Sequence, residues 1–155
     1  MKIYSLKKTQ ILPIGIEEAW GFFSSPRNLS KITPDQMGFK ILHISGGEKM
    51  YCGQIIRYMV NVLPLISVHW VTEITHVNEP QYFVDEQRFG PYALWHHQHH
   101  FKVVPEGVEM TDEVNYAIPL GPLGRLAHWF FVGREVNAIF NHRFKVLEKY
   151  FSKHQ

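Results

Sequence analysis

Over most of its length the chain alternates apolar and polar residues, and the alternation stops at Pro and Gly clusters. Residues 2–12 (KIYSLKKTQIL) alternate loosely and are rich in β-formers, which predicts a first strand ended by Pro13. Residues 16–23 step by three and four instead, with Ile16, Trp20 and Phe23 on one face, so a short helix follows. The stretch Ser24-Ser-Pro-Arg-Asn stops it, and residues 28–32 begin a second helical turn that Pro34 closes. Strand candidates come next in succession: 38–45 with the turn Gly46-Gly47, 53–63, 67–77 after an interruption at Pro64, 81–89, 94–104 and 108–118. Short turns at Gly90–Ala93 and Pro105–Gly107 predict that sequence neighbours pair antiparallel, as a meander. From Leu123 to Ser152 the period becomes helical. Leu123, Leu126, Phe130, Gly133, Asn137, Phe140, Phe144, Leu147 and Phe151 make one stripe. The order predicts an α+β fold: a curved antiparallel sheet of six or seven strands wrapped around a long C-terminal helix, one domain over residues 1–155. At the centre of the stripe, Gly133 and Asn137 either leave space or let the helix approach the sheet closely.

Three strand faces are the more apolar or aromatic ones: Phe83, Asp85, Gln87 and Phe89; Trp95, His97, His99, Phe101 and Val103; Val108, Met110, Asp112, Val114 and Tyr116. If Val103 opposes Val108, His99 meets Asp112. If Phe89 opposes Trp95, Asp85 meets His99. A row Asp85–His99–Asp112, with His97 and Gln87 beside it, is then predicted on the concave face. A one-residue slip would break it. Burial favours neutral carboxyls, and a protonated His between two of them keeps such a cluster charged. The cluster serves structure, anchors the polar group of a ligand, or moves protons, with His99, Asp112 and Asp85 as the candidate catalytic residues.

Composition narrows the reading. Of 155 residues, 14% are aromatic, enough ring volume to fill a core or wall a pocket. The formal net charge is only +2 and no basic run occurs, which argues against a nucleic-acid partner. Cys52 is the only cysteine, so no internal disulfide can form. No signal-peptide pattern opens the sequence and no apolar run approaches bilayer length, so stable membrane insertion is not expected and the cytoplasm is the expected location. Oligomeric state is not readable.

Three stretches resemble the START-like, polyketide cyclase/dehydrase (SRPBCC) superfamily: residues 13–29 (PIGIEEAWGFFSSPRNL), residues 83–101 (FVDEQRFGPYALWHHQHHF), and 111–116 through 121–127 with 139–144. The second and third are similar to a largely uncharacterised bacterial subgroup, and the positions matching its pattern are Asp85, Gln87, Gly90, Pro91, Tyr92, Trp95, His97, His99, Phe101, Asp112 and Tyr116. The resemblance implies a helix-grip fold with a hydrophobic tunnel between sheet and C-terminal helix. It carries no universal catalytic motif, and fold does not choose function. The expected ligand-lining set is the inward face of residues 83–89 and 95–101, with Tyr92, Met110, Asp112, Val114, Tyr116, Phe130, Gly133, Asn137 and Phe140.

Other chemistry has less support. His97 and His99 with Asp85 or Asp112 could make a three-ligand metal site, but no HExxH or second Cys accompanies them, and no metal or cofactor is expected. Neither GxSxG nor GxGxxG occurs. Arg134 and Arg143 fall off the apolar stripe, with Arg143 expected to cap an acidic residue. His128 and Trp129 line a cavity mouth or sit on the surface. The reading favoured is binding of a small hydrophobic molecule such as a lipid, polyketide or isoprenoid-like compound. The alternative is a cyclase- or dehydratase-like enzyme using His and Asp as acid and base, and a groove for a protein partner is a weaker third.

Overall fold

The computed structural model describes residues 1–63 and 66–152; the predicted break at Pro64 lies outside the described residues. Seven strands form one antiparallel sheet: β1 (Tyr4–Leu12), β2 (Lys40–Ile44), β3 (Ile55–Leu63), β4 (Ile66–Asn78), β5 (Tyr82–Phe89), β6 (Leu94–Val104) and β7 (Gly107–Ala117). β2 to β7 run as a meander, and β1 closes the row beside β7, in the order β1-β7-β6-β5-β4-β3-β2. Between β1 and β2 lie α1 (Ile16–Phe23) and two short 3-10 turns, Pro26–Ile32 and Asp35–Met37. The C-terminal helix is in three parts: α2 (Gly121–Ala127), a π-helical segment His128–Val132, and α3 (Gly133–Ser152). No helix among the described residues is long and apolar enough to cross a membrane.

The helix α1 forms because Glu17 and Glu18 complement its N-terminal dipole while Ala19, Trp20, Phe22 and Phe23 present one buried face. That face fills one half of the concave sheet. Trp20 meets Phe83 and Phe101 edge-on at 5.9 and 6.0 Å, and Phe22 meets Phe151 at 5.2 Å. Leu12, Val108, Met110, Leu147 and Phe151 complete this core at 0–1% exposure. A smaller cluster of Val114, Tyr116, Val136 and Phe140 packs at the other end of α3. Gly107 turns the β6–β7 hairpin at φ 136°, and a Cβ there would stand 2.1 Å from the Leu12 carbonyl, so only Gly fits.

The C-terminal helix departs from the expected single stripe. Its buried face is Val136, Phe140, Arg143, Leu147 and Phe151. Upstream, Leu123, Leu126 and Phe130 are exposed. The π segment accounts for this: each extra residue in a turn rotates everything before it by about 100° relative to the continuing face. Asn137 is exposed. Gly133 backs onto the His128 ring, which a Cβ would meet at 2.9 Å. The void expected opposite Gly133 and Asn137 is therefore not there, and neither is the close helix–sheet approach: Gly133 is tight against His128 of its own helix.

The β6–β7 register matches the expected one, with Val103 opposite Val108 and His99 opposite Asp112. The β5–β6 register is two residues off: Asp85 opposes His97 and Phe83 opposes His99. Gln87 causes the slip. Its side chain turns onto the loop, donating from Nε2 to the Tyr92 carbonyl at 2.7 Å and accepting from Tyr92 N–H at 3.2 Å. Pairing stops at Glu86–His96, and the turn is wider than a tight hairpin. Because the slip is even, every side chain keeps its face.

Candidate functional site: a cavity with a buried ionic cluster

The helices α1 and α3 cover β1, β6 and β7, and α1 reaches Phe83 of β5, which leaves the concave face of β3 and β4 without a helix above it. A cavity of about 830 Å³ opens there. Ile56, Tyr58 and Val60 of β3 and Trp70, Thr72 and Ile74 of β4 form its floor. Phe22, Phe23, Ile32 and Met37 wall one side, and Phe131, Val132, Ala138, Ile139 and Phe140 wall the other. The lining is mainly apolar and aromatic, as small-molecule sites are. Tyr58 and Trp70 stack at 5.8 Å, and Trp70 meets Trp95 edge-on at 5.4 Å.

One wall of the cavity is ionic. Asp85 (β5), His97 and His99 (β6) and Arg143 (α3) line it, and Asp112 (β7) lies directly behind. His99 lies between both carboxylates, with Nε2 2.7 Å from Asp85 Oδ2 and Nδ1 3.1 Å from Asp112 Oδ1. His97 makes the same span, with Nε2 2.9 Å from Asp112 Oδ1 and Nδ1 3.5 Å from Asp85 Oδ2. Arg143 Nη2 stands 3.5 Å from the same Asp112 oxygen, its guanidinium over Phe23 and Phe140. The imidazoles lie 3.8 Å apart at their centroids, and His99 stacks on Phe83 at 4.0 Å.

The protonation pattern follows from these distances. Burial pushes the Asp112 carboxyl up, but Arg143 and the hydrogen bonds from His97 and His99 outweigh it and hold it well below the usual carboxylate range. Burial likewise raises Asp85, and His97, His99 and Arg143 together bring it below its ordinary value. The two imidazoles separate. Burial lowers both, but His99 is carried above its ordinary value by the hydrogen bonds to Asp112 and Asp85, whereas His97 is held below it by burial and the neighbouring His99 charge. These directions favour the proton on His99 over His97, and Arg143 Nη2 also stands 3.4 Å from His99 Nδ1. Two carboxylates are then balanced by Arg143 and His99, so the cluster is neutral although it is buried. One oxygen, Asp112 Oδ2, and Arg143 Nε have no partner in it. Burial also raises Tyr58, whose hydroxyl meets Thr72 Oγ1 at 3.1 Å on the cavity floor.

Asp85, His97 and His99 each offer one ligand atom within 4.8 Å of the others, the one such grouping among the described residues. A divalent ion could bridge them, with Asp112 orienting both imidazoles from behind. Their ligand atoms already face one another within the ionic network, and a metal would have to displace those contacts.

Of the residues expected to line the cavity, Phe83, Asp85, Tyr92, Trp95, His97, His99 and Phe140 do. Phe101 and Met110 are buried in the main core, and Val114 and Tyr116 in the smaller cluster. Asp112 is behind the wall. Gln87 is spent on the β5–β6 loop, Phe89 is 68% exposed at the end of its strand, and Phe130, Gly133 and Asn137 are off the lining. Arg143 meets an acidic strand residue as expected, Asp112, but lies on the buried face of α3 rather than off it, at 6% exposure. Both Arg143 and Phe144 lie between Phe140 and Leu147 at helical spacing, and apolarity alone favours Phe144. The β3–β4 floor was missed as well, because its strands carry aromatic residues on an otherwise unremarkable alternation.

No protein-family model matches the sequence, and no curated protein does. Solved structures match over nearly the whole chain. Protein CV1439 from Chromobacterium violaceum superposes with a TM-score of 0.72 at 11% identity, over 95% of this chain and 96% of that one. The di-domain ARO/CYC StfQ from the steffimycin biosynthetic pathway gives 0.71 at 9%, over 98% of this chain and 52% of StfQ. The protein Ara h 8.0201 gives 0.66 at 13%, over 98% and 99%. At such identities the likeness establishes the fold alone: an α+β helix-grip fold, with a curved antiparallel sheet and a long C-terminal helix.

Proposed function

We propose that the chain is a single ligand-binding unit that takes a small hydrophobic molecule, of lipid, polyketide or isoprenoid-like chemistry, into the cavity over β3–β5. The observation that carries this is the pairing of an apolar space of about 830 Å³ with one ionic wall. An apolar body would lie against Trp70, Ile56, Ile74 and Phe140, and a hydroxyl or carbonyl would meet Asp85 and the imidazoles. A reducing compartment such as the cytoplasm suits the exposed, unpaired Cys52. Native mass spectrometry of the protein purified from its own source tests the reading. A co-purifying apolar small molecule, lost in a variant with a filled cavity, is expected. Consistent absence of any adduct, together with no uptake of a fluorescent fatty acid, would overturn it.

A second reading has its own observation. His97 and His99 stand side by side on one cavity wall with their proton affinities pushed in opposite directions, and such a pair would serve as base and acid in a cyclase- or dehydratase-like reaction. It predicts a bell-shaped pH dependence of turnover that is lost on changing either imidazole, whereas a binder loses affinity alone.

A further inference from the structure

The entrance to the C-terminal helix exposes a run of large apolar side chains. Leu120, Leu123, Leu126, Trp129, Phe130 and Phe131 are 76, 69, 54, 74, 55 and 40% exposed, all within twelve residues. Single exposed apolar residues are ordinary on a protein surface, but a contiguous set of this size marks an interaction face. The set faces outward because the π segment rotates this part of the helix off the stripe that α3 buries.

The charge around the face is mainly positive, with Arg125 and Arg134 exposed and one exposed acid, Glu135, directly after Arg134. No Asp or Glu occurs among residues 1–16 or 114–134, which contain Lys2, Arg125 and Arg134. Tyr4 stacks on His128 at 3.4 Å and Lys2 lies over the Tyr4 ring at 5.0 Å, so the N-terminal strand brings its lysine to the same end of the molecule. Burial and Lys2 together keep His128 on the neutral side of its ordinary value. The face is also continuous with the cavity: Phe131 and Val132, in the same π segment as Trp129, line it.

We propose that this face docks reversibly on an anionic phospholipid bilayer. Trp129, Phe130 and the three leucines enter the boundary between headgroups and acyl chains, and Lys2, Arg125 and Arg134 meet lipid phosphates. A Trp with Leu and Phe on one side and more cations than acids at the rim is the chemistry of an interfacial helix. The docking is on the surface of the bilayer; no helix among the described residues is long and apolar enough to span it. Docking is independent of what fills the cavity. Where the cavity also takes an apolar ligand, its wall at Phe131 and Val132 is placed to load from the bilayer.

The test is co-sedimentation of the full chain with vesicles of phosphatidylglycerol and phosphatidylethanolamine, against phosphatidylcholine alone, with quenching of Trp129 by brominated acyl chains. Binding to the anionic vesicles that weakens with salt is expected, with quenching that a Trp129→Phe variant loses. Leu126→Ser with Trp129→Ser should lower the partition about tenfold or more. Arg125→Gln with Arg134→Gln should lower it severalfold on anionic vesicles only. Both pairs change exposed positions, and unchanged melting temperatures verify that the fold survives. Absence of vesicle binding, or binding that neither pair alters, overturns the proposal. So does self-association that the Leu126/Trp129 pair abolishes without any vesicle binding, since the face would then be a protein interface.

Discussion

Replacing Arg143 by Met tests the neutral-cluster account directly. Arg143 is 6% exposed, and its Nη2 is the cation nearest Asp112 Oδ1 apart from the two imidazoles. Met keeps most of the apolar stem and loses the guanidinium that lies over Phe23 and Phe140, so the change removes charge more than volume. What remains is two carboxylates against one imidazolium, a net negative charge in a buried site. Removing one partner of a buried ion pair typically costs about 3–5 kcal/mol, because the other charge is left uncompensated. The low end applies here, since His97 can take up a proton and restore balance. For a chain of 155 residues, about 3 kcal/mol corresponds to a fall in melting temperature of about 6–12 °C. The assay is thermal unfolding by circular dichroism at several pH values. The deficit should shrink as the pH falls from about 7 to about 5, where protonation of His97 or a carboxylate neutralises the site. Adding Asp112→Asn should recover part of the loss, giving a coupling energy of about 1 kcal/mol or more in a double-mutant cycle. A fall of less than about 2 °C, a deficit that does not depend on pH, or additive single and double variants would refute the charge balance.

The wild-type stability profile should have two limbs. His99, whose folded value is raised, adds stability that is complete below about pH 6.5 and disappears as the pH rises through its folded value, so His99→Gln should flatten the alkaline limb in melting experiments. His97, Asp85 and Asp112 have lowered folded values, so the acid limb begins below about pH 6.5 for His97 and continues below about pH 3.9 for the carboxylates. Val60→Trp places a ring into the cavity floor and should leave the melting temperature within about 3 °C while lowering uptake of a fluorescent fatty acid about tenfold or more; unchanged uptake would show that the probe sits elsewhere. Gly124→Ala would put a Cβ 2.0 Å from the Pro119 carbonyl, a backbone clash, and should cost about 2 kcal/mol or more, whereas Gly133→Ala meets the His128 ring at 2.9 Å and its carbonyl only at 3.3 Å and should cost clearly less; equal costs in chemical denaturation would contradict this contrast.

Period and punctuation alone determined most of the architecture. The period of two over 94–104 and 108–118, with Pro105-Glu-Gly between, specified the β6–β7 hairpin and its register, because a short turn and two apolar faces leave one pairing that buries both. The same parity placed Asp85, His97, His99 and Asp112 on one face. An error of two residues in the β5–β6 register changed which pairs are opposite without moving any of them to the other side, so the ionic wall was legible although its pairings were not. Tertiary structure alone decided three things. Gln87 set the β5–β6 register through two bonds to Tyr92 that no local pattern announces. The π segment set which helical residues face inward, because a single inserted residue turns an apolar stripe from core to surface while leaving its spacing in the sequence unchanged. The position of the cavity depended on where α1 and α3 come to rest. They cover β6 and β7 and leave β3 and β4 open, so residues with the same alternating pattern became core in one half of the sheet and cavity wall in the other. Periodicity is a property of one segment and its faces; which face meets a helix, a void or solvent is settled only when all segments pack together.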